Sequence, residues 1–415
     1  MMNLPNFTEG LSELLQDQIT GEISIIQIGF LTYDLQEFTA DCVSRIAKVL
    51  PYNIKAYPVF ARISKEHVDF SYRPTKLKGH FFAVRKKRST PEGLTSSVNW
   101  GAAWDCARNN QIVVLFGIQG GTALVATLLA VIMRRKLISV NQTLPPEWEL
   151  KRRWWIRWLK GWILRRCQVH IVQTPVSRET LSRIYGISKN NFVDAPFESG
   201  VSVFSKLFSE IYQNKDELRK NFGWNSKECI FIFVGTLLRF KGIETIIDAS
   251  AILRTKHDNF RVFLFGPEAA QAKEPTIRDY EAYAKRIEAE SIISFSGKCS
   301  LHDLAKVYIA ADILMLPTQK DCWPKVLVEG AMAGLPLITT SACGAAGSLV
   351  LDGHTGLVIP PNDAKALAEA MEKMLDINAR HFYGKNAREF CLEFCDPTKE
   401  TSGYVKAIQT ALDMR

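Results

Sequence analysis

The chain has 415 residues, 47% of them hydrophobic and 23% charged, with a formal net charge of +9. That length holds two domains of ordinary size, and the composition is that of a soluble globular protein. Nucleic acid, an anionic membrane and phosphorylated substrates all suit a basic chain, so the location of the charge is more informative than its sum.

The N-terminal MMNLPNFTEGLSELL has no basic region, no long apolar stretch and no small-residue cleavage site, so it does not read as a secretory signal. Residues 23–30 (ISIIQIGF) predict a buried strand, followed by a helix near 39–50. Residues 112–116 (IVVLF) predict a second strand, running into Gly117-Ile118-Gln119-Gly120-Gly121-Thr122 and a helix over 123–133. That apolar run, the longest in the chain, is about half of the ~20 residues that cross a bilayer, and it reads as a helix buried between strands. Strands follow at 137–140 and 169–173.

After a polar, charged segment at 205–226, expected to separate the halves, the rhythm restarts. Strands are predicted at 230–234, 261–265, 292–295, 313–316, 335–339 and 356–359, with a helix over 243–254 and others between. Strand, glycine-bearing loop and helix in alternation predict open parallel sheets. The fold class expected is α/β, two Rossmann-like domains whose sheets face a central cleft, where ligands of such sheets bind. Nine scattered cysteines, with no CxxC pair, predict reduced thiols rather than disulfides or a zinc site. The expected location is the cytoplasm.

The densest chemistry lies in residues 321–338, DCWPKVLVEGAMAGLPLI, which leave a loop after the 313–316 strand and enter a helix. Asp321 in the loop and Glu329 in the helix suit the hydroxyls of a sugar and a ribose; two solvated surface acids are the alternative. Residues 234–242 (VGTLLRFKG) lie at a strand end before a helix and bring Arg239 and Lys241 to a glycine-bearing turn, a cradle for a diphosphate. In Cys343-Gly344-Ala345-Ala346-Gly347, small residues either let backbone amides approach phosphate oxygens or permit tight packing.

Together these segments resemble the family 4 (group 1) glycosyltransferases, retaining enzymes of the GT-B fold. The resemblance is dense over residues 231–375, a little over a third of the chain. It runs through VGTLLRFKG, LFG at 264–266, FSG at 295–297, VYIAADILMLPT at 307–318, DCWPKVLVEGAMAGLPLITT, DGHTGLVIPPND at 352–363 and the helix at 364–375. It implies that Glu329 contacts the donor ribose, that Asp321 lies near the donor sugar, and that Lys241 binds the diphosphate. It places the base near the backbone of Gly297 and Lys298, and Gly235, Thr236, Gly344 and Ala345 around the donor. Two departures stand out. The first acid is Asp321 where the family has glutamate, and Thr236 stands where the family has an arginine, with Arg239 as the candidate replacement.

Departure of the diphosphate builds negative charge, which fixed cations and amides stabilise; Lys241, Arg239 and the 343–347 loop are assigned that work. The resemblance implies retention of configuration without a metal, and no Asp-x-Asp indicates one. No cofactor beyond the nucleotide sugar is expected. On the acceptor side, Gly120 and Gly121 are candidates for the cleft. Asn141-Gln142-Thr143 stands where many relatives carry a histidine, and His170 reads as structural.

Residues 151–166 (KRRWWIRWLKGWILRR) form a separate feature. On a helical wheel Trp154, Trp155, Trp158, Leu159, Trp162 and Ile163 share one face, with Arg153, Arg157 and Lys160 opposite. Between Arg134 and Arg166 ten lysines and arginines face two acids, Glu147 and Glu149. Such a helix suits the headgroup layer of an anionic membrane, and the alternative is a core-facing helix with a solvated basic face. No nucleic-acid motif accompanies the charge.

The expected domains are an acceptor-binding unit over 1–200, a nucleotide-sugar unit over 201–390 and a helical segment over 391–415 packing back toward the first. The expected function is transfer of a sugar to a lipid-linked or polysaccharide acceptor by a protein peripheral to the cytoplasmic face of the membrane. The competing reading is a catalytically degenerate GT-B protein that binds a partner or membrane.

Overall fold

The computed structural model describes residues 25–32, 37–51, 53–60, 80–81, 98–118, 120–269 and 274–414. The segment read for a secretory signal lies outside them. Two all-parallel sheets organise the chain. The first has the order β3-β2-β1-β4-β5-β6-β7. Its strands are β1 (Ile26–Thr32), β2 (Ile54–Phe60), β3 (His80–Phe81), β4 (Ile112–Phe116), β5 (Lys136–Asn141), β6 (Val169–Val172) and β7 (Phe192–Asp194). The second has the order β10-β9-β8-β11-β12-β13, from β8 (Cys229–Val234), β9 (Phe260–Phe265), β10 (Ile293–Gly297), β11 (Ile313–Leu316), β12 (Leu337–Thr340) and β13 (Gly356–Ile359).

The apolar runs of the sequence become these strands because a parallel strand is covered on both faces. In β4, Val113 and Leu115 meet Ala103, Cys106 and Ala126 on one face. Ile112 and Val114 meet Ile46, Tyr404 and Ile408 on the other. All six residues of β8 are buried in the second sheet's core.

The charged segment at 205–226 is not a linker. It forms helices Val201–Glu210 and Lys215–Phe222, which place Phe204 and Leu218 in the second core. An Asn214–Glu217 capping box starts the second of them and left-handed Gly223 ends it. A few buried apolar residues at helical spacing outweigh the polar majority. The chain crosses between the sheets just before, at residues 195–200. It crosses back after the long helix Ile377–Phe394, and helix Pro397–Asp413 lies on β5, β6 and β7. Gly403 is required there, because a Cβ would stand 2.3 Å from the Asp194 carbonyl oxygen.

Candidate active site

The loops that follow β8, β11 and β12 meet at the C-terminal edge of the second sheet. Gly242 opens helix Ile243–Arg254 at φ 82°, and a Cβ there would stand 2.2 Å from Pro317 O. This contact lays residues 239–242 against the end of β11. Phe240 O accepts from Gln319 N at 2.6 Å and from Thr318 Oγ1 at 3.0 Å, which clasps the two loops. Lys241 Nζ then forms an ion pair with Asp321 Oδ2, each side chain only 18% exposed.

Arg239 takes a different direction. Its guanidinium pairs with Glu244 at 3.1 Å and is largely exposed, while its amide donates to Glu274 at 2.9 Å. Lys320 Nζ and Lys241 Nζ both lie near the Phe240 ring, at 5.2 Å and 5.6 Å from its centre. Gly235 and Gly266 carry the loops after β8 and β9 into backbone contact, where a Cβ on Gly266 would stand 1.9 Å from Gly235 O. Thr236 is half-buried beside them and Gly297, at φ 67°, ends β10 before exposed Lys298.

Glu329 lies in helix Lys325–Met332 and is buried. Its Oε2 accepts from the Tyr308 hydroxyl at 2.7 Å. Burial pushes the carboxyl up to about 7, against the pull of Tyr308 and of the Lys325 ammonium. Burial likewise pushes the Cys322 thiol up to about 11 and Cys343 to about 12, so neither is an anion at neutral pH.

The 343–347 loop differs from the amide cradle expected of it. Cys343 N donates to Thr340 O, Gly344 N to Asp321 O at 2.7 Å, Ala346 N to Cys343 O and Gly347 N to Val350 O. With these donors engaged internally, the small residues serve close packing. A Cβ on Gly344 would lie 2.0 Å from Cys322 O and 3.1 Å from Thr143 O. Thr143 follows β5, so the two sheets' loops meet at this glycine.

A second tie joins the loop after β11 to the crossover. Trp323 Nε1 donates to Ser199 Oγ at 2.6 Å, and Ser199 holds a left-handed φ of 54°. On the first sheet's side, Asn141 Oδ1, Thr143 Oγ1 and Gln173 Nε2 are buried polar atoms with no hydrogen-bond partner among the described residues. They stand at the ends of neighbouring β5 and β6, where an α/β sheet takes ligands. Gly120 and Gly121 start helix Gly121–Ile132 at the end of β4, with Gly121 packed on Val98. His170 is buried against Ser139 Oγ at 2.8 Å, and burial lowers it to about 4, which leaves it neutral.

The tryptophan helix spans Trp154–Leu164, and its wheel differs from the expected one in two places. Ile163 is buried, not on the tryptophan face, and Lys160 is buried rather than solvated. Lys160 Nζ bonds Glu149 Oε1 at 2.8 Å, and Glu149 also accepts from Tyr185 at 2.6 Å. Ile156, Lys160, Ile163 and Leu164 form the core stripe at helical spacing, which turns Trp154, Trp155 and Trp158 outward. Arg153 is exposed at the N-cap and Arg157 is half-buried, while Trp162 packs partly on the core. Helices Trp100–Asn109 and Gly121–Ile132 cover the same sheet face and expose Trp100, Trp104, Val131 and Ile132. Among the described residues no helix is long and apolar enough to cross a membrane, and no group of three or more His, Cys, Asp or Glu is placed to hold a metal ion.

The family model for glycosyl transferases group 1 matches residues 214–390, which enclose Lys241, Asp321, Glu329 and their loops. The chain carries a group 1 glycosyltransferase domain. The chain is 25% identical over 244 residues to D-inositol 3-phosphate glycosyltransferase of Corynebacterium aurimucosum, an alignment covering 58% of this chain and 56% of that protein. It is 28% identical over 195 residues to lipopolysaccharide glucosyltransferase WaaG of Escherichia coli, covering 46% of this chain and 49% of that one. The chain thus spans about half the length of the curated relatives it matches. A crystal structure of HepE from Anabaena, in complex with UDP and glucose, superposes with a TM-score of 0.69 at 18% identity, over 92% of this chain and 99% of that chain. That likeness extends to both sheets, and the fold is GT-B.

Within this glycosyltransferase domain, sequence reasoning passed over Tyr308, although it stands inside the VYIAADILMLPT segment. It also passed over Gln173, whose orphaned amide no local pattern marks. Lys160 carried a signal of its own, a cation three and four residues from Ile156, Ile163 and Leu164 on a helix.

Proposed function

We propose that the chain is a glycosyltransferase that moves a sugar from a nucleotide-sugar donor to an acceptor hydroxyl with retention of configuration. The observation that carries this reading is the Lys241–Asp321 pair, set between two strand-end loops of a group 1 domain with Glu329 on the following helix. The bond from the anomeric carbon to the diphosphate breaks, and its electron pair leaves with the phosphate oxygen. The acceptor oxygen bonds the same face of that carbon, and its proton passes to the departing diphosphate. Lys241 stabilises the negative charge and Asp321 the positive charge on the sugar, each where that charge grows. Arg239 or Lys320 supplies a further cation, and the diphosphate is held without a metal. The backbone at Gly235, Thr236, Gly297 and Lys298 lines the nucleotide, with Gly344 and Ala345 packing the loop behind it.

HepE was crystallised with UDP and glucose, which supports a uridine diphosphate donor here. The orphaned Asn141, Thr143 and Gln173 atoms supply neutral donors and acceptors for sugar hydroxyls on the acceptor side; Gly120 and Gly121 extend that wall. The exposed Trp154, Trp155 and Trp158, with Trp162, Arg153 and Arg157, dock on an anionic membrane surface and bring the cleft to a lipid-linked acceptor. Membrane association is then peripheral, on the cytoplasmic side.

Mixing the protein with UDP-, ADP- and GDP-sugars and lipid-linked glycans, and measuring free nucleoside diphosphate, tests the reading. Acceptor-dependent release supports it, and the anomeric coupling of the product reports retention. No binding of any nucleoside diphosphate or nucleotide sugar overturns it.

A further inference from the structure

Glu329 is buried to 8% exposure, yet among the described residues only one of its carboxylate oxygens receives a hydrogen bond. Oε2 accepts from the Tyr308 hydroxyl at 2.7 Å. Oε1 takes no hydrogen bond from the described residues. Tyr308 lies on helix Leu301–Ala310 and is fully buried. Its ring stands edge-on to Phe204 at 5.9 Å, and Phe204 belongs to the first helix after the crossover from the first sheet. The hydroxyl therefore has a fixed origin, and its one hydrogen goes to Glu329.

A glutamate side chain has three torsions, and one left free must be ordered when a ligand binds. Fixing one oxygen removes most of that entropic cost before binding. A hydroxyl bonded to a carboxylate is among the stronger hydrogen bonds, so it holds the plane of the group firmly. The two hydroxyls of a ribose donate side by side and select a carboxylate whose plane is already set.

We propose that Tyr308 is a positioning residue for ribose recognition: its hydroxyl fixes Oε2 of Glu329 and thereby presents Oε1 to the vicinal hydroxyls of a nucleoside diphosphate. This rests on the donor reading given above and deepens it, because it separates recognition of the ribose from recognition of the diphosphate. Tyr308 touches no substrate and acts through Glu329 alone.

The test uses titration calorimetry on the full chain with UDP, ADP and GDP, each beside its 2′-deoxy and 3′-deoxy counterparts. Wild type is expected to prefer the ribonucleotide by about tenfold or more, the factor that one hydrogen bond to a charged group carries. Tyr308→Phe is expected to shrink that preference about threefold or more, while the deoxy compounds bind almost as before. Glu329→Gln is expected to shrink it too, and the double variant to add little to Glu329→Gln. If Tyr308→Phe weakens ribo and deoxy ligands equally, the tyrosine is only scaffold and the proposal fails. If wild type binds a diphosphate but ignores the ribose hydroxyls, the proposal fails and the donor reading stands. If no diphosphate binds, both fall. Should Tyr308→Phe not fold, Glu329→Asp keeps the charge but withdraws it from the Tyr308 hydroxyl. A smaller ribo-to-deoxy ratio in that variant supports the proposal, and an unchanged one overturns it.

Discussion

Lys241 and Asp321 stand 80 residues apart in sequence and meet as an ion pair between the loop after β8 and the loop after β11. Gly242 lying on Pro317 O, and Phe240 O accepting from Gln319 and Thr318, bring them together. The consequence is chemical. The cation proposed to hold the diphosphate is already partly neutralised, and the acid proposed for the sugar holds it in place.

Asp321→Asn is therefore expected to bind nucleoside diphosphate more tightly, because Lys241 no longer shares its charge, while sugar transfer slows. Lys241→Gln is expected to lower turnover by about 10²- to 10³-fold, the usual cost of removing one group that stabilises a departing charge. Calorimetry with UDP and steady-state release of diphosphate measure the two effects separately. Equal losses of diphosphate affinity in both variants would contradict the division of roles.

Burial pushes Glu329 up to about 7 in the folded protein, above the ordinary glutamate value of 4.5. The sign follows from that direction. Between pH 4.5 and about 7 the folded state binds more protons than the unfolded one, so this group's contribution to stability falls as pH rises through that window. Donor affinity is expected to move the other way, since the ionised carboxylate is the better acceptor for ribose hydroxyls. The difference between wild type and Glu329→Gln should grow from pH 6 to about 8, around the value of 7. Glu329→Ala is expected to weaken donor binding at every pH. Diphosphate titrations across that range check both points, and the difference cancels the ionisation of the phosphate itself.

Lys160 and Glu149 form a buried ion pair beneath the tryptophan helix, with side-chain exposures of 3% and 0%. Lys160→Met leaves the buried Glu149 charge with Arg152 and the Tyr185 hydroxyl, and a loss of about 3 kcal/mol in urea unfolding is expected. A change below about 0.5 kcal/mol, the ordinary scatter of a surface substitution, would remove the pair from the stability account.

Trp154, Trp155 and Trp158 point outward on that same helix. A Trp154/Trp158→Ala variant is expected to lose most of its flotation with vesicles of phosphatidylglycerol and phosphatidylcholine. Transfer to a soluble acceptor should fall far less, because both side chains are exposed and make no part of the core. Equal flotation of wild type and variant would dispose of the membrane surface.

Much of the architecture was legible before any contact was known. The strand runs at 112–116, 313–316 and 356–359 coincide with β4, β11 and β13, and the helix at 243–254 matches its observed span. Short runs of β-branched and aromatic residues between glycine-bearing turns specify such elements locally. The segment at 205–226 misled because its charges outnumber the few residues, Leu218 and Trp224, that take it into the core.

What the chain determined by itself is therefore the strand order of the second sheet along the chain, part of the first, whose β2, β3 and β7 it did not mark, and the placing of Lys241 and Asp321 in loops after strands with Glu329 on the helix that follows. Tertiary structure alone decided their partners. Asp321 took Lys241 while Glu244 took Arg239, Tyr308 took one oxygen of Glu329, and the 343–347 amides turned to backbone carbonyls, that of Asp321 among them. It likewise buried Lys160 and exposed the tryptophans beside it. The reason is that local propensity acts over a few residues, whereas a buried charge or amide must find a partner among whatever distant groups the packed sheets bring within reach.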